Sequence, residues 1–426
     1  MVKNTFIFSL IILIITSMAH AQPDTIRLDD CYLLAMDLSP LKKQELLNES
    51  IYELGLRNQQ SNYLPSISLN GKATYQSEVI SIPGTGMIQD YPQIPKEQFQ
   101  MNLDINQNIY DGGLTKNAKK LEESSWILNQ SELETELYSI RSTINDLFFS
   151  ILTLQESRNI LYTTLENLRN QQKIISARVS EGVILESNLY RIEKQILTIQ
   201  QEIISVESDR NALMEVLSAW IGEPVGRNTV LKIPVFNPQE AIPEIDRPEN
   251  EMFQAQRLFL ETQRSMVQVE RSPKFSAFVQ GGIGQPNPVN FFEIDPSTYY
   301  ILGIRLNWPV INWGNVSRKK QALNLQQDIV DTRESNFSRN IQMILTRLYT
   351  DIEKLEEVLK KDHEIIVLQE KIVNTAFSEF QHGVINSTDY LTELSALTES
   401  EIKRSVHKIQ LAEAYIKIYT SSGQEF

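Results

Sequence analysis

The sequence predicts long helical rods and membrane-spanning β-strands, arranged as two copies of one plan. Three observations carry this reading. First, the stretch between Gly113 and Gly182 holds no Pro and no Gly, and its apolar residues (Leu121, Trp126, Leu133, Leu137, Ile140, Ile144, Phe148) recur at helical spacing. Second, short glycine-bounded motifs return at one offset of 201 residues: Gly113 to Gly314, Gly182 to Gly383, Gly222 to Gly423. Third, no segment beyond the N-terminus is a continuous apolar run of spanning length, whereas several segments alternate with period two.

The elements follow in chain order. Lys3, the apolar run Phe6–Ile15 and Ala19-His20-Ala21 form a secretory signal peptide, with cleavage expected after Ala21. The first repeat then occupies 22–232. Its opening helix is expected over Leu28 to Tyr63. Cys31, the one cysteine, has no disulfide partner and reads as a small buried side chain in an apolar pattern. Two strands follow. In the first, Ile67, Leu69, Gly71, Ala73 and Tyr75 share one face, opposed by Ser68, Asn70 and Lys72. In the second, Met101, Leu103, Ile105 and Ile109 oppose Asn102, Asp104 and Asn106. The intervening loop, Ser81 to Lys96, is rich in Pro and Gly. The rod after Gly113 would extend on the order of 100 Å at ~1.5 Å per residue. Asn145, Gln171 and Gln172 interrupt its apolar stripe, as expected of a rod with one wet side. The turn at Gly182 leads into a shorter helix, about Val183 to Ile221.

A Pro-rich linker, 233–248, passes to the second repeat, 249–426. There Phe275, Ala277 and Val279 are expected to pair with Leu302, Ile304, Leu306, Trp308 and Val310. The glycines Gly281, Gly282 and Gly284 read as small strand residues, since no helix follows them to make a phosphate loop. Tyr75, Phe99, Tyr110, Tyr299, Tyr300 and Trp308 would supply aromatics at the membrane rim. Each half thus supplies two strands, one continuous rod and two half-length helices that sum to another. Four strands cannot close a barrel, and an open sheet leaves edges. Three copies would supply twelve strands and as many rods, closing a strand barrel and a helix barrel on one axis.

With these motifs together, the chain resembles a TolC-type outer membrane efflux protein (the outer membrane factor family) over nearly its whole mature length. The resemblance rests on Leu64-Pro65 and Ser272-Pro273 at the strand entries. It rests also on Asp111-Gly112-Gly113 and Trp313-Gly314 at the strand-to-helix junctions, on Arg247-Pro248-Glu249, and on the two glycine turns. It implies a homotrimer with a β-barrel in the lipid of the cell outer membrane and a large periplasmic α-barrel of antiparallel helical hairpins. It also implies a periplasmic adaptor (membrane fusion) protein and an inner-membrane transporter of RND, ABC or MFS type as partners. The function implied is passive conduction of substrates through the channel-tunnel of a tripartite efflux or type I secretion system.

Rod length places the two glycine turns together at the end farthest from the strands. Gly182-Val183-Ile184 and Gly383-Val384-Ile385 would expose apolar residues there. They either pack between neighbouring hairpins or, by resemblance, dock the adaptor. Asp389 is the candidate residue at the periplasmic entrance. The family motif has Asp six residues after the turn glycine, but the first turn carries Asn188, so a symmetrical acidic ring is not expected.

No catalytic set, cofactor motif or metal site is expected. His363, His382 and His407 are scattered, and His363-Glu364 lacks the second His of a zinc helix. A formal net charge of −14 argues against nucleic acid. Lys119-Lys120 and Lys360-Lys361 read as solvated rod faces. The alternative reading is a periplasmic coiled-coil adaptor or scaffold protein. An adaptor would normally have one hairpin, not two matched copies.

Overall fold

The computed structural model describes residues 25–80, 94–235, 244–290 and 292–425. The expected signal peptide, most of the Ser81–Lys96 loop and the middle of the Pro-rich linker lie outside them. In order, the elements are β1 (Thr25–Ile26), α1 (Leu28–Asp37), a 3-10 turn (Pro40–Lys42), α2 (Lys43–Ser61), β2 (Ser66–Tyr75), β3 (Glu97–Tyr110), α3 (Leu114–Ser180) and α4 (Glu186–Ile221). They continue with β4 (Val230–Leu231), α5 (Pro248–Val269), β5 (Lys274–Gln285), β6 (Ser297–Asn307), α6 (Asn315–Gln381) and α7 (Ser387–Ser422). Two compact units result, one from Met1–Gln44, Leu133–Asn250 and Ser335–Phe426, the other from Glu45–Glu132 and Glu251–Glu334. Each takes segments from both sequence halves, so the units cut across 22–232 and 249–426 rather than following them.

The offset seen in the sequence recurs in the helices. α3 and α6 have 67 residues each, α4 and α7 have 36 each, and each pair starts 201 residues apart. Gly222 and Gly423 end α4 and α7 in the left-handed conformation. A side chain at Gly423 would run into the carbonyl of Asp246, so glycine is required here while its neighbours are free to differ.

The opening helix is a correction. It is not one element over Leu28 to Tyr63, because Ser39-Pro40 breaks it into α1, a 3-10 turn and α2. Proline pushes the residue before it out of helical geometry, and Ser39 is extended with ψ 131°. Its hydroxyl accepts from the Leu41 N–H at 3.3 Å, capping the new start.

In the first unit, α1 packs with α3, α4 and α7 around Leu28, Cys31, Ile144, Phe148, Leu217 and Ile416. Cys31 is buried as expected, and burial pushes its thiol up to about 12. Asn145 is a second correction. It faces no water: at 1% exposure it hydrogen-bonds Tyr32 and donates to the Thr420 hydroxyl at 3.3 Å. Polar residues on an apolar stripe can be paired inside as well as wetted outside. The family motif Arg247-Pro248-Glu249 ties the linker into this core. Arg247 pairs with Glu249, donates to the Thr420 carbonyl at 2.9 Å and lies 4.4 Å over the Tyr138 ring. Buried Arg210 donates to the carbonyls of Arg227 (2.8 Å) and Thr229 (2.5 Å). It thereby holds the turn that leads into β4.

In the second unit, β2, β3, β5 and β6 form one antiparallel sheet in that order. Direct pairing puts Ile67 opposite Ile105, Leu69 opposite Leu103, Ile105 opposite Val279 and Val279 opposite Leu302, so one face is apolar across all four strands. The other face pairs Ser68 with Asp104, Asn70 with Asn102 and Asp104 with Gln280. Two expectations are corrected. β6 ends at Asn307, so Trp308 and Val310 lie beyond the strand, where Pro309 removes a ladder donor. Tyr299 does not share a face with Tyr300, as a common place at a membrane rim would require. Successive strand residues face opposite sides, so Tyr300 is exposed, while Tyr299 lies on the polar face at 7% exposure and accepts from Gln100.

Candidate functional site: paired glycine turns and strand exits

The two glycine turns belong to the first unit, and the structure brings them together. Each ends its long helix by the same device. Gly182 and Gly383 take φ of 74° and 75°, and the N–H groups of Val183 and Val384 reach back to the carbonyls of Arg178 and Glu379, both at 2.9 Å. This is the Schellman closure, in which glycine supplies the left-handed residue. Among the described residues, no neighbour lies within 4 Å of where a Cβ would stand at either glycine, so conformation alone demands them.

Below the turns, Tyr390 is fully buried between the rings of Phe377 (5.2 Å) and Phe380 (6.0 Å), and burial pushes its phenol up to about 12. Ile184 and Ile385 pack onto this cluster. Val183 and Val384 do not, and stand 63% and 71% exposed. The four apolar turn residues thus divide into two anchors and two free side chains. Arg178 donates to the Gln381 carbonyl at 2.6 Å and Arg191 to the Thr388 hydroxyl at 2.7 Å, linking one turn to the other.

The inequality between Asn188 and Asp389 has a local cause. At α7, Asn386 is the N-cap and accepts from Thr388 and Asp389 N–H groups at 2.7 and 3.2 Å, while Asp389 accepts in return from Asn386. This is a capping box. At α4 the cap position is Leu185, which has no side-chain acceptor. Asn188 instead accepts from the buried Ser387 hydroxyl at 2.7 Å. The sequence reading missed this cross-turn bond; the signal available was Leu185 standing where the other half has Asn386. His382 is exposed, with Nδ1 2.7 Å from the Ser378 carbonyl, and His407 pairs with Asp362 at 2.7 Å.

The strand exits lie in the second unit. Asp111 accepts from the N–H groups of Gly113 (2.9 Å) and Thr115 (2.7 Å), capping α3. Burial alone would raise its carboxyl; hydrogen bonding from Thr115 and from the amides of Gly113 and Leu114 holds it below the ordinary value. A depressed folded pKa contributes stability above the unfolded value that is lost as pH falls through the folded one. Melting of the purified protein should therefore drop more steeply below about pH 4 than melting of Asp111→Asn, which has no such titration. Parallel curves would remove Asp111 from that role. Gly112, at φ 70°, lies against Ser272-Pro273, so one strand's exit meets another's entry. Trp313 occupies the corresponding place before α6 and takes φ 51° despite its side chain.

Among the described residues, no group of His, Cys, Asp and Glu is placed to hold a metal, and no helix is long and apolar enough to cross a membrane. Residues 55–223 match the model of the outer membrane efflux protein family. The resemblance read from the sequence holds. That family consists of channel proteins, and the expected outer-membrane location accords with it. No curated protein matches the chain. The fold is shared with solved outer-membrane proteins. The outer membrane protein VceC of Vibrio cholerae superposes with a TM-score of 0.66 at 12% identity, over 94% of this chain and 96% of that one. The CmeC outer membrane channel of Campylobacter jejuni gives 0.64 at 15%, over 93% and 85%. The open MtrE channel of Neisseria gonorrhoeae gives 0.63 at 13%, over 93% and 89%.

Proposed function

We propose that this chain is the outer-membrane channel-tunnel of a tripartite efflux or type I secretion system. The observation that carries the proposal is the sheet, whose apolar face stands uncovered on all four strands. Leu103, near its centre, is 45% exposed and Leu302 68%. A soluble sheet buries its apolar face; a sheet in lipid turns that face outward and keeps polar residues toward a lumen. β2 and β6 are edges within the chain. We infer that three copies of the two-repeat chain pair these edges into a twelve-stranded barrel, continued by a helical barrel in the periplasm.

In this reading substrates pass without chemistry from an inner-membrane transporter of RND, ABC or MFS type, through a periplasmic adaptor, to the outside. The adaptor docks on Gly182-Val183-Ile184 and Gly383-Val384-Ile385, and Asp389 stands at the entrance. The net charge of −14 favours a cation-leaning conductance. The purified protein should be a trimer by light scattering in mild detergent and give a discrete conductance in a planar bilayer. A monomer there would sink the architecture. Leu103→Arg places a charge on the lipid face near mid-depth and should cost roughly 2–4 kcal/mol of barrel stability, read from the heat-modified gel shift. An unchanged shift would mean that this face does not meet lipid.

A further inference from the structure

The chain is acidic overall, yet its charge reverses where strands give way to helices. Lys116, Lys119 and Lys120 lie in the first two turns of α3 before its first acid, Glu122. Arg318, Lys319 and Lys320 open α6, with no acid until Asp328. Lys319 is engaged by Glu270 at 2.7 Å and Lys320 by the Gln268 amide. The exposed Lys116, Lys120 and Arg318 have no acidic partner among the described residues, and the Arg318 guanidinium donates only to the Trp313 carbonyl, at 3.0 Å. Between the sheet and this basic band runs an uncovered apolar stretch: Trp308, Val310, Ile311 and Trp313, the last 86% exposed.

We propose that this band binds the anionic headgroups of phospholipids in the periplasmic leaflet of the outer membrane. The inference rests on the channel reading above and adds a lipid preference to it. Two features select this occupant. The basic side chains begin in the first turn of each long helix, directly after the segments that leave the apolar-faced strands. Tryptophan at a membrane–water boundary seats its ring at headgroup depth, beside cations that attract anionic lipid. Trp313 is held there in a left-handed conformation that a tryptophan adopts only at a cost.

The test uses the full-length protein in vesicles of phosphatidylcholine mixed with phosphatidylglycerol of the same chains. After gentle detergent extraction, native mass spectrometry reads the lipid that stays with the trimer. Wild type should retain phosphatidylglycerol over phosphatidylcholine by on the order of tenfold at low salt, with the preference fading at high salt. Lys116→Gln/Lys120→Gln/Arg318→Gln, all surface changes, should lose most of that preference while remaining trimeric and conducting. A wild type that inserts and conducts without preference overturns the lipid band alone, as does a triple variant that keeps the preference. A wild type that fails to insert overturns the channel reading, and the lipid band with it.

Discussion

Replacing Val183 and Val384 together by Asp is expected to abolish export while leaving trimer assembly and outer-membrane insertion intact. The expectation comes from the division of labour within each turn. Ile184 and Ile385 face inward onto the Tyr390 cluster, so a charge there would unfold the turn itself. Val183 and Val384 follow the Schellman glycine, a position whose apolar side chain frequently packs back on its own helix. Here both stand free. Burying one valine against a partner contributes about 1.5–3 kcal/mol, and burying an unpaired carboxylate reverses the sign. Losing both should weaken docking by at least on the order of a hundredfold. Export is measured in cells as resistance to, or release of, a transported compound. If the trimer falls apart instead, the valines are packing elements between hairpins, and the docking proposal goes with them.

Much of this was legible because it repeats. A single weak motif, such as Ser421-Ser422-Gly423 facing Trp220-Ile221-Gly222, has little weight alone, but a shared offset makes its glycine informative. The structure gives the reason, since Gly423 abuts a backbone carbonyl. Strand faces were legible because period two leaves no freedom: once Leu103 faces one way, Asp104 must face the other. Tyr299 went astray where composition was allowed to outrank that rule. The break at Ser39-Pro40 is visible in the sequence, because a proline there cannot continue the helix that the flanking apolar residues suggest. What a one-dimensional pattern cannot hold is pairing across distance. Asn145 reads as a wet position until Tyr32 and Thr420 stand beside it, and Asn188 reads as a degraded motif until Ser387 does.

The strand exits give the second large effect, with a control built into the chain. Gly112→Ala should destabilise the protein by about 3 kcal/mol. A left-handed φ of 70° costs an L-residue roughly 1–2 kcal/mol. The new Cβ would also stand 2.5 Å from the Ser272 Cβ and 3.2 Å from the Pro273 carbonyl, in a junction where β3 and β5 are already paired. Overpacking of that kind costs a further ~1–3 kcal/mol. Trp313 is the corresponding residue of the other half, with the same left-handed backbone but a side chain standing in the open. There Trp313→Gly relieves the conformational cost but gives the unfolded chain more freedom, so the two terms nearly cancel. Its melting temperature should stay close to wild type, and it should lose only the interfacial ring. Both variants are read by thermal melting of the purified protein in one detergent. A Gly112→Ala protein that melts like Trp313→Gly would mean that Ser272-Pro273 can yield, and that the meeting of strand exit and strand entry does not set the junction.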